Sequence, residues 1–250
     1  MGIDYVVGLE CEPKEAIGIE EIVGMVKARS RAETILGMAR QQGDARPAHQ
    51  ITFQIQLYRN GEITAEDVSV QTLLDQAATL DDHVVACREC PANRDSPTGY
   101  GCYKSISYPI EPDTENWLLS RLPAALDETN GAGYLLARAL EDFGWDGAQA
   151  AEMRSQGERF FRMREAPVRQ WPNGIAISSD QLFHMMFHVG HLNPDHSKLL
   201  CMFFGLLQIG DTEPPDDDAP IESQNAQAMV DWINSLVFAA ANQLELLVDG

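Results

Sequence analysis

Basic residues are few in this sequence, and none occurs after Lys198. Among 250 residues the chain has 18 lysines and arginines against 38 acidic residues, which gives a formal net charge of −20. A field of this sign repels phosphate backbones and anionic lipid, because neither gains counterion release on binding. The composition therefore argues against nucleic acid and membrane as partners. It fits either a solvated acidic surface or a docking surface, in the acidic C-terminal third, for a basic protein partner.

The chain also lacks an export signal and a long apolar run. Residues 1–4 show no basic start followed by an apolar stretch. The longest apolar stretch, Leu199–Leu207, is much shorter than the roughly 20 residues that cross a bilayer. We therefore expect a soluble, cytoplasmic protein. With 44% hydrophobic residues the chain can bury a core, and we predict a single domain over residues 1–250.

Familiar catalytic motifs are missing as well. There is no phosphate-binding loop with its lysine, no nucleophile elbow and no zinc-protease helix. Gly131-Ala132-Gly133 lacks both a preceding strand and a third glycine. An enzyme is therefore the less favoured interpretation, and an accessory or protein-interaction protein is the more favoured one.

Hydrophobic periodicity predicts an α+β protein that is mostly helical, with a small sheet or hairpins. Strands are expected at Ile3–Leu9 and Ile51–Leu57, and a hairpin turn at Asn173-Gly174. The predicted helices cover residues 15–28, 30–42, 69–80, 133–142, 178–189 and 193–208.

The C-terminal part of the chain is predicted to contain a loop followed by a helix. Residues 211–220 are acidic and rich in proline, so we expect a mobile loop. An apolar stripe over residues 221–247 predicts a last helix that docks on the body of the protein.

Three of the five cysteines cluster in a segment, residues 83–113, that the prolines and glycines predict to be irregular. Cys87, Cys90 and Cys102 form a C-x2-C-x11-C pattern. A long irregular segment inside a compact domain needs something to hold it. Clustered cysteines in a cytosolic protein indicate metal or redox chemistry, because disulfides are rare there.

Thiolates are soft ligands, so this pattern favours zinc, or alternatively an iron–sulfur cluster, over magnesium or calcium. A structural zinc ion normally has four protein ligands. His83 is the nearest candidate for the fourth ligand and Cys11 the second. Ordinary thiols or a redox pair remain open, while Cys201, inside an apolar run, is expected to be a buried core thiol.

A second, weaker candidate set consists of His184, His188 and His191. A helix reaching His191 would place all three on one face, where neighbouring imidazoles can share a metal ion. This set supports the alternative function, a metal-dependent enzyme and possibly an oxidoreductase. The opposing interpretation is that these histidines are buried and satisfied by hydrogen bonds within an apolar helix.

Five arginines fall between Arg154 and Arg169, with glutamates interleaved. Guanidinium groups suit carboxylate or phosphate partners. We expect these arginines to pair with neighbouring glutamates on a surface hairpin. The second possibility is docking against the chain's own acidic C-terminal third.

Overall fold

The computed structural model describes residues 2–59, 62–93, 100–125, 144–187, 190–206 and 224–249. The chain divides into two compact units. We call residues 10–101 the inserted unit, and residues 1–9 with 102–250 the sheet unit. The prediction of one domain over residues 1–250 stays a prediction, since two compact units can still unfold together.

A four-stranded antiparallel sheet organises the sheet unit, with the strand order β4-β1-β8-β7. Tyr5 on β1 lies opposite Lys104 on one side and Val248 on the other. The β-branched residues of β1 favour extended backbone, and most of the strand is buried. The strands are β1 Gly2–Val7, β4 Tyr103–Ser107, β7 Gly190–Leu192 and β8 Leu246–Asp249.

The last helix, α9, runs from Gln224 to Asn242 and packs against β4. It buries Trp232 and Leu236 completely. Its predicted extension to residue 247 is wrong, because Gln243 adopts a positive φ of 59° and the chain then enters β8. The expectation that this helix docks on the body stays a prediction beyond its contacts with β4 and α8, the helix Pro194–Phe203.

Two of the other helices of the sheet unit begin where the local sequence predicts. Ser178 and Gln181 form the predicted capping box at the start of α7. Asn193 caps α8 by accepting a hydrogen bond from the backbone N–H of His196 at 2.9 Å. Both helices end earlier than predicted. The four helices that precede α9 in the sheet unit are α5 Pro112–Ser120, α6 Ala148–Ser155, α7 Ser179–Met186 and α8 Pro194–Phe203.

A short hairpin precedes α7 in the sheet unit. Its strands are β5 Val168–Gln170 and β6 Ala176–Ser178, which pair antiparallel. The predicted turn at Asn173-Gly174 joins them, and Gly174 has a φ of 86° there. The turn prediction is therefore confirmed.

The inserted unit consists of helices and one antiparallel hairpin, β2–β3. Its first helical region breaks at Gly18, whose φ is 96°, and not near Ser30 as predicted. Ser69 caps α3 as expected, accepting from the N–H of Thr72 at 3.2 Å. The elements are α1 Glu12–Ile17, α2 Ile19–Gln41, β2 Thr52–Arg59, β3 Glu62–Ser69, α3 Val70–Gln76 and α4 Val84–Arg88, with short 3-10 helices at Ala48–Gln50 and Ala78–His83.

The cysteine-containing segment is more regular than predicted. Residues 83–113 include all of α4 and β4 and the start of α5. The prolines and glycines of this segment predicted irregular backbone, whereas packing stabilises the helices and the strand more than local propensity does.

The predicted fold class is confirmed: the protein is α+β, with more helix than strand among the described residues. In the part of the chain that is described, no helix is long and apolar enough to cross a membrane. Two predicted elements fall outside the described residues, namely the helix over 133–142 and the loop over 211–220.

Candidate functional site

The C-x2-C pair lies on a tight turn at the end of α4. Cys87 is in the last turn of this helix and is buried, while Cys90 follows the helix and is half-buried. The backbone N–H of Cys90 donates to the carbonyl of Cys87 at 3.3 Å. The short spacing therefore places both cysteines on one turn of backbone.

Asn93 fixes this turn to a later part of the chain. Its side-chain amide donates to the carbonyl of Cys87 at 2.8 Å, and its Oδ1 accepts from the N–H of Gly101 at 2.7 Å. Its own N–H donates to the carbonyl of Cys90 at 2.9 Å. One asparagine thus holds part of the segment for which the sequence predicted a metal ion.

The Cys87 side chain belongs to a small apolar cluster with Ala77, Leu80 and Tyr100. The Tyr100 hydroxyl donates to the carbonyl of Leu80. Burial, and after it the negative charge of the Cys87 thiolate, raises the pKa of Tyr100 to about 12. The Cys87 sulfur and the Tyr100 hydroxyl are therefore close enough inside the inserted unit to interact electrostatically.

His83 lies at the start of the same helix as its N-cap residue. Its Nδ1 atom is buried and has no hydrogen-bond partner among the described residues. The carboxylate of Glu12 has its Oε1 atom 3.9 Å from Nδ1, and that side chain is 77% exposed. A buried imidazole nitrogen without a hydrogen bond is costly, which makes it a suitable atom for a metal ligand.

The other cysteines lie in different surroundings. Cys102 precedes β4 in the sheet unit, where its backbone carbonyl accepts from Val7 N–H at 2.9 Å. The predicted cysteine ligands are therefore divided between the two units. Cys11 is the N-cap residue of α1 in the inserted unit. Cys201 is fully buried, as predicted, and burial raises its pKa to about 12.

Neither the geometry nor a relative supplies a complete ligand set. Within the described ranges, no three His, Cys, Asp or Glu side chains are grouped closely enough to hold a metal ion. Comparisons with protein-family models, with curated proteins and with solved structures return no match. Zinc, or an iron–sulfur cluster, on the predicted residues therefore stays a prediction.

The predicted helical stripe of histidines does not form. Helix α7 ends at Met186, His191 lies on β7, and His188 is outside the described residues. The helix predicted over residues 178–189 ends before His188, and His191 belongs to the strand β7 at the edge of the sheet. Whether these histidines bind a metal stays a prediction.

His184 is occupied by local interactions. Its Nδ1 accepts from the N–H of Gly147 at 3.1 Å and lies 3.5 Å from Oδ1 of Asp146. Accepting that N–H requires a lone pair on Nδ1, so the neutral ring carries its proton on Nε2. Gly147 is needed here, because its φ is 83° and a Cβ would lie 2.8 Å from the backbone N of Gln181.

A buried charged network in the sheet unit was missed by the sequence analysis. Arg154 on α6 donates to Glu115 on α5 at 2.6 Å and to Asp180 on α7 at 2.7 Å. Ser179 also donates to Glu115, at 2.6 Å, and the guanidinium lies 4.1 Å from the centre of the Phe161 ring. The predicted pairing of Arg154 on a surface hairpin is wrong, since the side chain is only 4% exposed.

The local sequence contains no signal for this network, because the two carboxylates lie 39 and 26 residues from Arg154. One buried guanidinium faces both of them. Its Nε donates to Asp180, and its Nη1 donates to Glu115 and to the carbonyl of Met163. Charge-assisted bonds of this kind are strong and directional, so the network joins three helices in one arrangement.

Proposed function

We propose that this protein is a non-catalytic accessory protein that binds another protein, and that one zinc ion on the Cys87–Cys90 turn stabilises its inserted unit. The buried Nδ1 atom of His83 is the observation that carries the proposal. A ligand at this nitrogen would remove an unpaired polar atom and join the two ends of α4.

The sequence spacing of the three residues allows a common ion, but in this structure their side chains are not grouped closely enough to hold one. His83 and Cys87 are four residues apart at the two ends of a helical turn, where Cβ atoms are about 5–6 Å apart. Cys90 follows on the next turn of backbone. Ligand bonds to zinc are about 2.0–2.3 Å, so the side chains must rotate toward one another for the ion to bind.

The inserted unit has a reason to use a metal ion. Its buried clusters consist largely of alanines and medium-sized aliphatic side chains, such as Ala28, Ala32 and Val70 in one and Ala77 and Leu80 in the other. Such side chains remove less apolar surface from water than aromatic residues do. Zinc binding adds free energy directly to the folded state.

Metal content of the purified full-length protein tests this proposal. We expect one zinc per chain, lost in Cys90→Ser and in His83→Asn together with a lower midpoint of thermal unfolding. His49→Asn is the matched control, because His49 is an exposed histidine of the same unit. Protein without bound metal, or Cys90→Ser that keeps its zinc, contradicts the proposal. Iron with a visible absorption band would assign an iron–sulfur cluster instead.

The partner is proposed from charge. A chain with a net charge of −20 attracts a protein with a basic surface, and the run Asp216–Asp218 concentrates that charge. We expect proteins that co-purify at low salt to be basic, and to be released by Asp216→Asn, Asp217→Asn and Asp218→Asn together. They should also dissociate at about 1 M salt, where the Debye length is about 3 Å. An unchanged set of bound proteins after either treatment contradicts this part of the proposal.

A further inference from the structure

We infer that Cys87 and Cys90 are a redox pair that closes to a disulfide by exchange with a small-molecule disulfide of the glutathione class. The inference goes beyond the proposed function and does not depend on it, because a disulfide needs two sulfur atoms and no metal ion. Neither cysteine is in a disulfide in the structure, so both are open to the exchange.

The backbone between the two cysteines has the geometry of a type I turn. Glu89, the residue before Cys90, has φ −89° and ψ −4°, and the carbonyl of Cys87 accepts from the N–H of Cys90 at 3.3 Å. The Cα atoms at the two ends of such a turn are less than about 7 Å apart. Disulfides in proteins usually join Cα atoms that are about 4.4–6.8 Å apart, so this turn is compatible with one.

Asn93 holds both ends of the turn. Its side-chain amide donates to the carbonyl of Cys87 at 2.8 Å, and its backbone N–H donates to the carbonyl of Cys90 at 2.9 Å. Two thiols held in this way react with each other at a high effective concentration. An internal disulfide is therefore favoured over a separate adduct on each sulfur.

The two thiols differ in exposure, which gives each of them a different role. Cys90 is half-buried, whereas Cys87 is only 6% exposed and packs in the apolar cluster with Leu80 and Tyr100. Because exchange depends on access to the sulfur atom, a small-molecule disulfide reacts first with Cys90. Cys87 is shielded from external thiols and reacts with its neighbour on the turn.

The exchange has two steps. The sulfur of Cys90 attacks one sulfur of the small-molecule disulfide and breaks its S–S bond, and the first small thiol leaves with the proton that Cys90 loses. The sulfur of Cys87 then attacks the sulfur of Cys90 in this mixed disulfide, and the second small thiol leaves with the proton of Cys87. The two protein thiols are oxidised to one disulfide, and one small-molecule disulfide is reduced to two thiols.

Disulfide mapping of the full-length protein by mass spectrometry tests the inference, with glutathione disulfide as the probe and a metal chelator present. We expect the wild-type protein to form a bond between Cys87 and Cys90 and to keep little glutathione on Cys90. In Cys87→Ser the exchange should stop at the mixed disulfide, so that glutathione on Cys90 increases at least about tenfold.

Cys11 is the matched control within the same protein. It is also half-buried, but the sequence places no second cysteine within its turn of backbone. Glutathione on Cys11 should therefore persist in the wild-type protein, where no neighbouring thiol on the turn displaces it.

The wild-type result decides the matter even if Cys87→Ser fails to fold. Lasting glutathione on Cys90 without a bond to Cys87 overturns the inference, and so does a disulfide between Cys90 and any other cysteine. A Cys90 that does not react at all also overturns it. The proposed zinc ion is tested separately, by the metal content of protein that has not met the disulfide, so either claim can fail alone.

Discussion

The two units bury different kinds of side chain. The sheet unit buries Trp145 and Trp232 completely, together with the charged Arg154 and its two carboxylates. The inserted unit buries mainly small and medium-sized side chains. Burial of apolar surface contributes about 25 cal/mol per Å², so large aromatic residues stabilise a unit more than alanines do.

The difference shows which interactions fix the arrangement of helices and turns in each unit. In the sheet unit a large apolar core tolerates a buried charged network, which gives α5, α6 and α7 a unique arrangement. In the inserted unit, single side-chain hydrogen bonds fix the arrangement instead. The Asn93 amide donates to the carbonyl of Cys87, and Arg29 donates to the carbonyl of Ala77 at 2.9 Å. We therefore expect substitutions to have the largest effects in the sheet unit.

Removing Arg154 is expected to have the largest effect. Arg154→Ala leaves Glu115 and Asp180 buried without their cation, which should lower the free energy of unfolding by about 3–5 kcal/mol. Urea unfolding at neutral pH measures this change. Arg162→Ala is the control, because that side chain is 46% exposed and its removal should cost less than about 0.5 kcal/mol. Equal effects of the two substitutions would show that the network contributes nothing specific.

Deleting a core leucine in each unit tests whether the units unfold separately. Leu80→Ala and Leu182→Ala both empty fully buried positions and should each cost about 2–5 kcal/mol. We expect Leu80→Ala to speed amide hydrogen exchange in residues 10–101 and to leave the pairing of β1 with β8 protected. Faster exchange throughout the chain would instead mean that residues 1–250 are one cooperative domain.

Two glycines with nearly the same backbone conformation provide a matched pair, one in each unit. Gly43 has a φ of 79° and open space around it, while Gly147 has a φ of 83° and backbone 2.8 Å from the position that a Cβ would take. Gly43→Ala should cost about 1–2 kcal/mol from conformation alone. Gly147→Ala should cost more, because its methyl group also collides with the first turn of α7. Similar melting temperatures for the two variants would contradict the close approach.

The smallest expected effect concerns an exposed ion pair in the inserted unit. Hydrogen bonds from the Arg46 side chain, and then from its backbone, lower the pKa of Asp44 to about 2. Because the pKa is lowered in the folded state, ionised Asp44 stabilises the fold at pH values above its ordinary pKa of 3.8. This stabilisation is lost as the pH falls through about 2. Arg46→Ala should return the pKa toward 3.8, as followed by carbon-13 NMR of the carboxyl group. Arg31→Ala, a change to another exposed arginine, should leave it unchanged.

Local signals in the sequence predicted local structure correctly. The capping box at Ser178, the cap at Asn193 and the turn at Asn173-Gly174 each depend on residues within one turn of backbone. Capping and turn chemistry act over two to four residues, so the sequence alone determines them.

Elements that depend on distant partners were missed. Leu244 and Leu247 continue the apolar stripe of α9, so periodicity predicted helix where Leu247 pairs with Val6 in a strand. The same limit applied to the candidate site. The turn at Cys87 and Cys90 follows from their spacing. Cys102 belongs to the other unit because it directly precedes β4 and its carbonyl bonds to Val7 of β1, which lies about a hundred residues earlier in the chain.

The topology of the sheet has a consequence for the order in which the protein is made. Strand β1 is flanked by β4 and β8, and β8 is the last of the described strands in chain order. On a ribosome, residues 10–101 emerge before residues 102–250 and form a compact unit of their own. β1 must wait until residues 246–249 leave the exit tunnel before its second edge is paired. Until then a nascent chain presents an open strand edge, which is the surface that a chaperone would have to shield.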